Sequence, residues 1–389
     1  MEGCVLTVVA SRDSQAILLL CAPVALGDAK PLTPAEWAKL AGSIHASELS
    51  GPGALVGLSA GELGGGLGLE AHTAERVAEL LERGGTLAFE LERLESRGIW
   101  VVARSDERYP EQLKRHLGFR APALLFGAGR RVAMSERGVA VIGSRDAGDE
   151  ALAFAEELGR SVVAEGGTVV SGGARGIDRA AMNGAIDAGG TAVGVVADSL
   201  VRLTQQRETR EALADERLTL LTPYAPEARF TVGQAMGRNK LIYCLADEAV
   251  VVATSAGSGG TWAGAVENLK AGWTPLWVAD TAAAPTGNRE LLSKGGRPLA
   301  SPSAAAVLDT QELVAAPAPT PDDPLAALER ALTAPRTERE VSEALGLGVG
   351  EARKLLREGV AAGRLQREGK PFRYVVVTVA PQARLFDAA

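Results

Sequence analysis

The sequence predicts an α/β protein: an extended parallel sheet flanked by an N-terminal helical module and a C-terminal winged helix. Three observations predict it. Apolar, β-branched runs at residues 139–142, 168–170 and 249–252 each lead into a glycine-rich turn, and each turn precedes helical periodicity. The first two turns lie about thirty residues apart, the length of one strand–helix–strand unit with a right-handed crossover. Beyond an Ala/Pro-rich stretch, a short helical pattern closes on two β-runs.

Residues 1–105 read as a helical module of the helix-hairpin-helix or SAM-like kind, serving as scaffold or oligomer contact. Residues 16–26 give a first buried helix, too short to span a bilayer and without a basic flank. Thr33 followed by Pro34 marks a helix start, and residues 35–44 keep helical spacing. Residues 73–83 and 87–96 give two more helices, split by Gly84-Gly85, and residues 98–103 read as a strand. Over residues 106–300, the sheet domain, strands and helices alternate after a turn at 106–110. The helix over 149–165 stops at Gly166-Gly167, and the helix over 178–188 stops at Gly189-Gly190, with a strand over 191–196 next. Residues 301–323, rich in Ala and Pro, read as a semi-extended linker. Residues 324–379 then follow the order of a winged helix-turn-helix. Its helices are expected over 325–332, over 337–345 behind a Thr337–Glu340 capping box, and over 350–362. Its wing strands are expected at 364–367 and 372–377. Arg353, Lys354, Arg357, Arg364, Arg367, Lys370 and Arg373 mix there with Glu351, Glu358 and Glu368, so the tail reads either as a DNA contact or as a protein contact.

The bulk properties exclude several classes. A chain of 389 residues, 46% hydrophobic and 23% charged, is a globular protein of two or three domains, expected in the cytoplasm. The formal charge of −7 leaves no global basic field, so nucleic-acid binding must rest on local arginines. Cys4, Cys21 and Cys244 are too scattered for a disulfide framework or a zinc site, which fits a reducing compartment. His45, His72 and His116 are isolated as well. No metal, no cofactor and no membrane contact are expected.

The three turns carry Gly143-Ser144-Arg145, then Ser171-Gly172-Gly173-Ala174-Arg175-Gly176-Ile177-Asp178, then Ser258-Gly259-Gly260-Thr261. In an open parallel sheet such turns gather at the carboxyl edge and line one crevice. Glycine lets a backbone approach a phosphate, and free N–H groups at helix starts point at it. Arg145 and Arg175 add planar guanidinium forks, which suit phosphate. The pattern points to an anionic ligand, a nucleotide or a nucleic-acid backbone. Arg238-Asn239-Lys240 supplies a second basic cluster, preceded by Arg229-Phe230. Phe230 is either a stacking platform, worth ~1–3 kcal/mol per base in single-strand binders, or a core aromatic. Asp178 has three readings: a helix cap, a partner for Arg175, or a contact to a ribose hydroxyl. The dinucleotide fingerprint, the Walker loop and a serine–histidine pair are absent. No general base offers itself in the crevice, so no catalytic residue is expected and the site reads as one for binding.

These residues resemble the DNA processing protein A family, DprA or Smf. The likeness is carried by Tyr109-Pro110-Glu111-Gln112-Leu113, Ala121-Pro122-Ala123-Leu124-Leu125-Phe126-Gly127, the first two glycine turns, Arg238-Asn239-Lys240 and the Ser258-Gly259 loop with Thr261; it covers roughly residues 99–300. The resemblance implies an extended Rossmann-like domain that binds single-stranded DNA, forms a homodimer and loads a RecA-type recombinase during DNA uptake and recombination. It places Arg145, Arg175, Arg238 and Lys240 on DNA phosphates, with Gly143, Ser144, Ser171 and Gly172 as further donors. Gly173 stands where the family usually has Leu, Met182 where it has His, and Lys240 where it has Arg, which marks a divergent branch. Family-like proteins in phage-defence pairs restrain a toxic partner, so a toxin partner is the alternative expectation.

Two other readings compete. Nucleotide 5′-monophosphate phosphoribohydrolases of a similar fold carry Pro-Gly-Gly-x-Gly-Thr-x-x-Glu. Here Gly264 stands three residues after Thr261, and Glu267 comes three positions later still. A small-ligand sensor, with the winged helix reporting on the crevice, is the third class.

Overall fold

The computed structural model describes residues 11–23, 29–308, 328, 332, 336–345, 349–361, 365–368 and 373–376. Among them, five α-helices open the chain: α1 (Arg12–Cys21), α2 (Pro34–Ala46), α3 (Ala60–Leu67), α4 (Ala71–Glu82) and α5 (Gly84–Glu95). The starts of α2 and α3 are written in the sequence. Thr33 and Ser59 accept from the backbone N–H of Glu36 and Glu62, whose carboxylates accept from the capping residues' backbone in return. Helix α1 begins earlier than the apolar run suggests, because the Ser11 hydroxyl accepts from the Ser14 backbone and sets the start there. Residues 24–26 of the expected first helix lie outside the described residues.

The sheet has nine strands: β1 (Trp100–Ala103), β2 (Leu124–Ala128), β3 (Gly138–Gly143), β4 (Thr168–Ser171), β5 (Ala192–Val195), β6 (Leu218–Thr222), β7 (Glu248–Ala253), β8 (Leu276–Ala279) and β9 (Arg297–Leu299). Their order is β1-β2-β6-β5-β4-β3-β7-β8-β9. From β6 across to β9 every pairing is parallel. The expected uniformly parallel sheet is corrected at one edge, where β2 runs antiparallel to both β1 and β6. The chain leaves β1 and re-enters as β2 at the same end of the sheet, through α6 (Glu111–Leu117), so the pair must be antiparallel.

Alternation along the strands supplies two cores. Val139 and Val141 pack with α7 (Asp149–Ala164), α8 (Ile177–Asp187) and the front helices, through Leu158, Ile177, Ile17 and Leu80. Ala140 and Ile142 pack with α6, with α11 (Val232–Cys244) and α12 (Gly259–Ala271), and with α13 (Thr286–Ser293). Between β5 and β6 lie α9 (Leu200–Gln205) and α10 (Arg207–Ala214). The front expected as a separate module thus shares its core with the sheet, in one compact unit reaching residue 310. The linker expected over 301–323 is corrected over its first residues, and residues 309–323 lie outside the described residues. Residues 304–308 form α14 (Ala304–Leu308), which buries Ala304, Val307 and Leu308, and the Ala304 backbone donates to the Ser161 hydroxyl at 2.8 Å.

One topological step positions the site. Strands β3 to β6 spread outward in order; α11 then returns the chain across the sheet and β7 lands on the other side of β3. The loops leaving β3 and β7 therefore diverge and open a crevice at their carboxyl ends.

The second unit, residues 311–389, holds helices Glu338–Leu345 and Val349–Ala361 and an antiparallel pair, β10 (Leu365–Glu368) and β11 (Arg373–Val376). The Thr337–Glu340 capping box forms, at 2.7 Å from the Thr337 backbone to the Glu340 carboxylate. Arg353 donates to Glu338 at 2.8 Å. Of the helix expected over 325–332, only Leu328 and Leu332 are described, both buried. The hairpin tip with Lys370 lies outside the described residues.

Helices α7 and α8 meet backbone to backbone. A Cβ on Gly159 would overlap the Ala181 carbonyl oxygen, and one on Gly184 the Glu156 carbonyl oxygen. Gly159→Ala and Gly184→Ala should therefore each lower unfolding free energy by about 1–3 kcal/mol. Gly65→Ala in α3, with open space around it, should raise it by roughly 0.5–1 kcal/mol. Urea midpoints of the three variants check this.

Candidate nucleic-acid interface

The turns after β3 and β7, with the first turns of α11 and α12, enclose a crevice of about 330 Å³. One side is polar: Gly143, Ser144, Arg145, Thr254, Ser255, Ser258, Gly259, Gly260 and Thr261. The other is apolar, with Phe230, Val232 and Met236. Side chains lock the walls together. The Thr261 hydroxyl donates to the Gly143 carbonyl at 3.0 Å, and the Asn239 amide to the Gly260 carbonyl at 3.1 Å. The Ser144 backbone N–H donates to Ala253 at 2.8 Å. At the start of α12 the Ser258 side chain makes no capping bond.

The floor holds two buried opposite charges that attract each other without a direct salt bridge. Asp178 and Arg238 are each 5% exposed. Arg238 Nη2 donates to the Gly172 carbonyl at 2.9 Å, and the Gly143 backbone N–H donates to Asp178 Oδ1 at 3.4 Å. The backbone N–H groups of Ala174 and Gly172 also face the Asp178 carboxylate. Burial pushes the Asp178 carboxyl above its ordinary range, against the pull of Arg238 and these three N–H groups. Burial likewise pushes Arg238 down, while Asp178 holds it up. Residue 172 must be glycine, since a Cβ there would strike both the guanidinium and the carboxylate. Gly176, at φ 84°, is confined for a similar reason: a Cβ would meet the Ser144 carbonyl and the Arg145 backbone.

The sequence-derived residues therefore separate into groups. Gly143, Ser144, Arg145, Phe230, Asn239, Ser258, Gly259, Gly260 and Thr261 come together around the crevice, and Asp178 and Arg238 lie beneath it. Arg238, expected on DNA phosphates, is buried, with one bond from Nη2 to the Gly172 carbonyl. Two of the three readings of Asp178 are corrected: the cap of α8 is Gly176 with no side-chain bond, and Arg175 pairs instead with Asp146 at 2.6 Å. Arg175 is 70% exposed and stands outside the crevice lining. Ser171 is buried and donates to the Val141 carbonyl at 2.6 Å. Gly173, left-handed at φ 64°, and the half-buried Lys240 also stay outside the lining. Phe230 is not a core aromatic: it is 41% exposed, with the Arg145 guanidinium 5.2 Å from its ring centroid. The sequence reading missed Val232 and Met236, exposed at 72% and 41% on the first turns of α11. Two apolar residues on a helix that also buries Leu241 and Ile242 read as core until the tertiary structure turns them outward.

Asp178 is the single carboxylate in the crevice lining, and it is held by Arg238. Glu267 is exposed and outside that lining. No helix among the described residues is long and apolar enough to cross a membrane.

The sheet order and the switch-point crevice define a Rossmann-like protein with a crevice at the carboxyl ends of its strands. The family model for DNA recombination-mediator protein A matches residues 100–316, more than half of the chain, and the chain belongs to that family. The structure is similar to that of DNA processing protein A from Streptococcus pneumoniae, with a TM-score of 0.52 and 20% identity over 71% of this chain and 97% of that one. DNA processing protein A from Helicobacter pylori, described for its single-stranded DNA binding mode, matches at a TM-score of 0.44 and 21% identity, over 52% of this chain and 92% of that one. The molybdenum cofactor carrier protein of Chlamydomonas reinhardtii matches at a TM-score of 0.33 and 21% identity, over 46% of this chain and 99% of that one. Among curated proteins, none matches the chain.

Removing either member of the floor pair leaves a buried charge without its partner. Arg238→Ala and Asp178→Ala should each cost about 1–3 kcal/mol of stability, since each orphans buried backbone groups as well. Arg145→Ala, at an exposed position, should stay within roughly 0.5 kcal/mol of the parent. Equilibrium urea unfolding separates the two classes.

Proposed function

We propose that the crevice binds single-stranded DNA and performs no chemistry on it. The observation that carries this reading is the exposed Arg145–Phe230 pair at the mouth of a crevice walled by glycine turns. Arg145 and the backbone N–H groups at the start of α12 suit phosphate oxygens. Phe230, with Val232 and Met236 beside it, suits the face of a base. None of these contacts reads base identity, so binding is expected to show little sequence preference. Family membership supports the same reading and extends it: action in DNA uptake and recombination in the cytoplasm, a RecA-type recombinase as partner, and a homodimer. The helices and hairpin of the second unit, read as a winged helix, fit a contact to duplex DNA or to a protein partner.

A labelled thymidine oligonucleotide, titrated at several salt concentrations, tests the reading. Binding should weaken as salt rises, because phosphate contacts release counterions. Arg145→Ala should cost about 1.5 kcal/mol, roughly tenfold in affinity, and Phe230→Ala about 1–3 kcal/mol. Absence of binding at low salt, or indifference to salt, overturns the proposal.

The binding-only reading also forbids base release. Incubation with nucleoside monophosphates, followed by chromatography, should yield no free base beyond the protein-free control. Steady release that Glu267→Ala abolishes would establish the phosphoribohydrolase reading instead.

A further inference from the structure

Phe230 borders two hollows. One is the crevice; the other is a groove of about 500 Å³ lined by Asp198, Ser199, Arg202, Glu227, Arg229 and Phe230. The groove carries two carboxylates, and both are neutralised from the protein side. Glu227 accepts from Arg93 of α5 at 2.9 Å, with Arg97 at 3.8 Å. Asp198 accepts from Arg202 and from the Ser199 backbone N–H. Arg229 is exposed and has no ion-pair partner among the described residues. It is the uncompensated cation of the groove, and it is chain neighbour to the aromatic at the shared border.

The segment presenting Arg229 and Phe230 is braced at both ends. The Val201 backbone and the Ser199 hydroxyl, at the start of α9, donate to the Pro226 carbonyl at 3.1 and 3.2 Å. On the other side the Tyr224 hydroxyl donates to the Gln234 carbonyl at 2.8 Å. Little ordering is left for a ligand to impose there.

We infer that the bound strand does not end in the crevice: its sugar–phosphate backbone passes over the edge of Phe230 and continues into this groove, where Arg229 takes a further phosphate. The inference rests on the single-strand reading of the crevice and names the path the strand follows out of it. A polyanion leaving the crevice on this side meets one free guanidinium, beside carboxylates that already have their cations.

The test is a salt series with a labelled thymidine dodecamer, on the full chain and on Arg229→Ala. Arg229→Ala should bind about two- to fivefold more weakly. Its plot of log affinity against log salt should be shallower by about 0.7, the slope lost with one single-strand phosphate contact. Arg229→Glu should weaken binding further. The side chain is exposed, and unchanged melting curves verify that both variants fold. Parent-like affinity and slope in both variants would overturn the path while leaving the crevice reading intact. A parent chain that binds no oligonucleotide would overturn the crevice reading, and the path with it.

Discussion

The crevice depends on one buried constraint, the bonds that two neighbouring opposite charges, Asp178 and Arg238, make to the backbone of the glycine turns. Three glycine turns from distant parts of the chain must hold their backbones close together, and turns of that kind have few side chains with which to grip one another. Asp178 collects N–H groups from the first and second turns, and Arg238 returns a bond to the Gly172 carbonyl. Both charges are thus bonded to the turns that make the crevice, and its exposed lining carries Arg145 and apolar side chains. Buried charges are a poor source of net stability; here their bonds fix how closely the first two turns approach.

The front helices gain a meaning from the same geometry. They share one core with the sheet, and Arg93 of α5 and Arg97 just beyond it reach Glu227, in the segment that carries Phe230. A region that reads as scaffold in the sequence reaches the rim of the site through two surface arginines.

Much of this was legible beforehand, for physical reasons. The β-branched runs and glycine stops located β3, β4 and β7, because strand burial and left-handed turns leave local marks. The helix starts at Thr33 and Thr337 were legible because a proline in the first turn and a capping box are local patterns. The strand order was not, since nothing local in 124–128 distinguishes an antiparallel strand from a parallel one. The roles of the arginines were not legible either. Arg145, Arg175 and Arg238 look alike in sequence, each near a glycine and an apolar run. Only burial separates the rim arginine, the surface partner of Asp146 and the floor of the crevice. Asp178 was mistaken for the same reason: its partner lies 60 residues downstream.

The return of α11 across the sheet has a consequence for synthesis. The crevice joins Gly143 to Thr261, and β7 reaches β3 only after the whole β4-to-β6 half has been laid down. Contacts so far apart in sequence form late, because the entropy of closing the long loop must be met first. A nascent chain emerging through β6 has its first two glycine turns but no third wall, no Arg238 floor and no Phe230. The crevice therefore comes into being only as the sheet is completed.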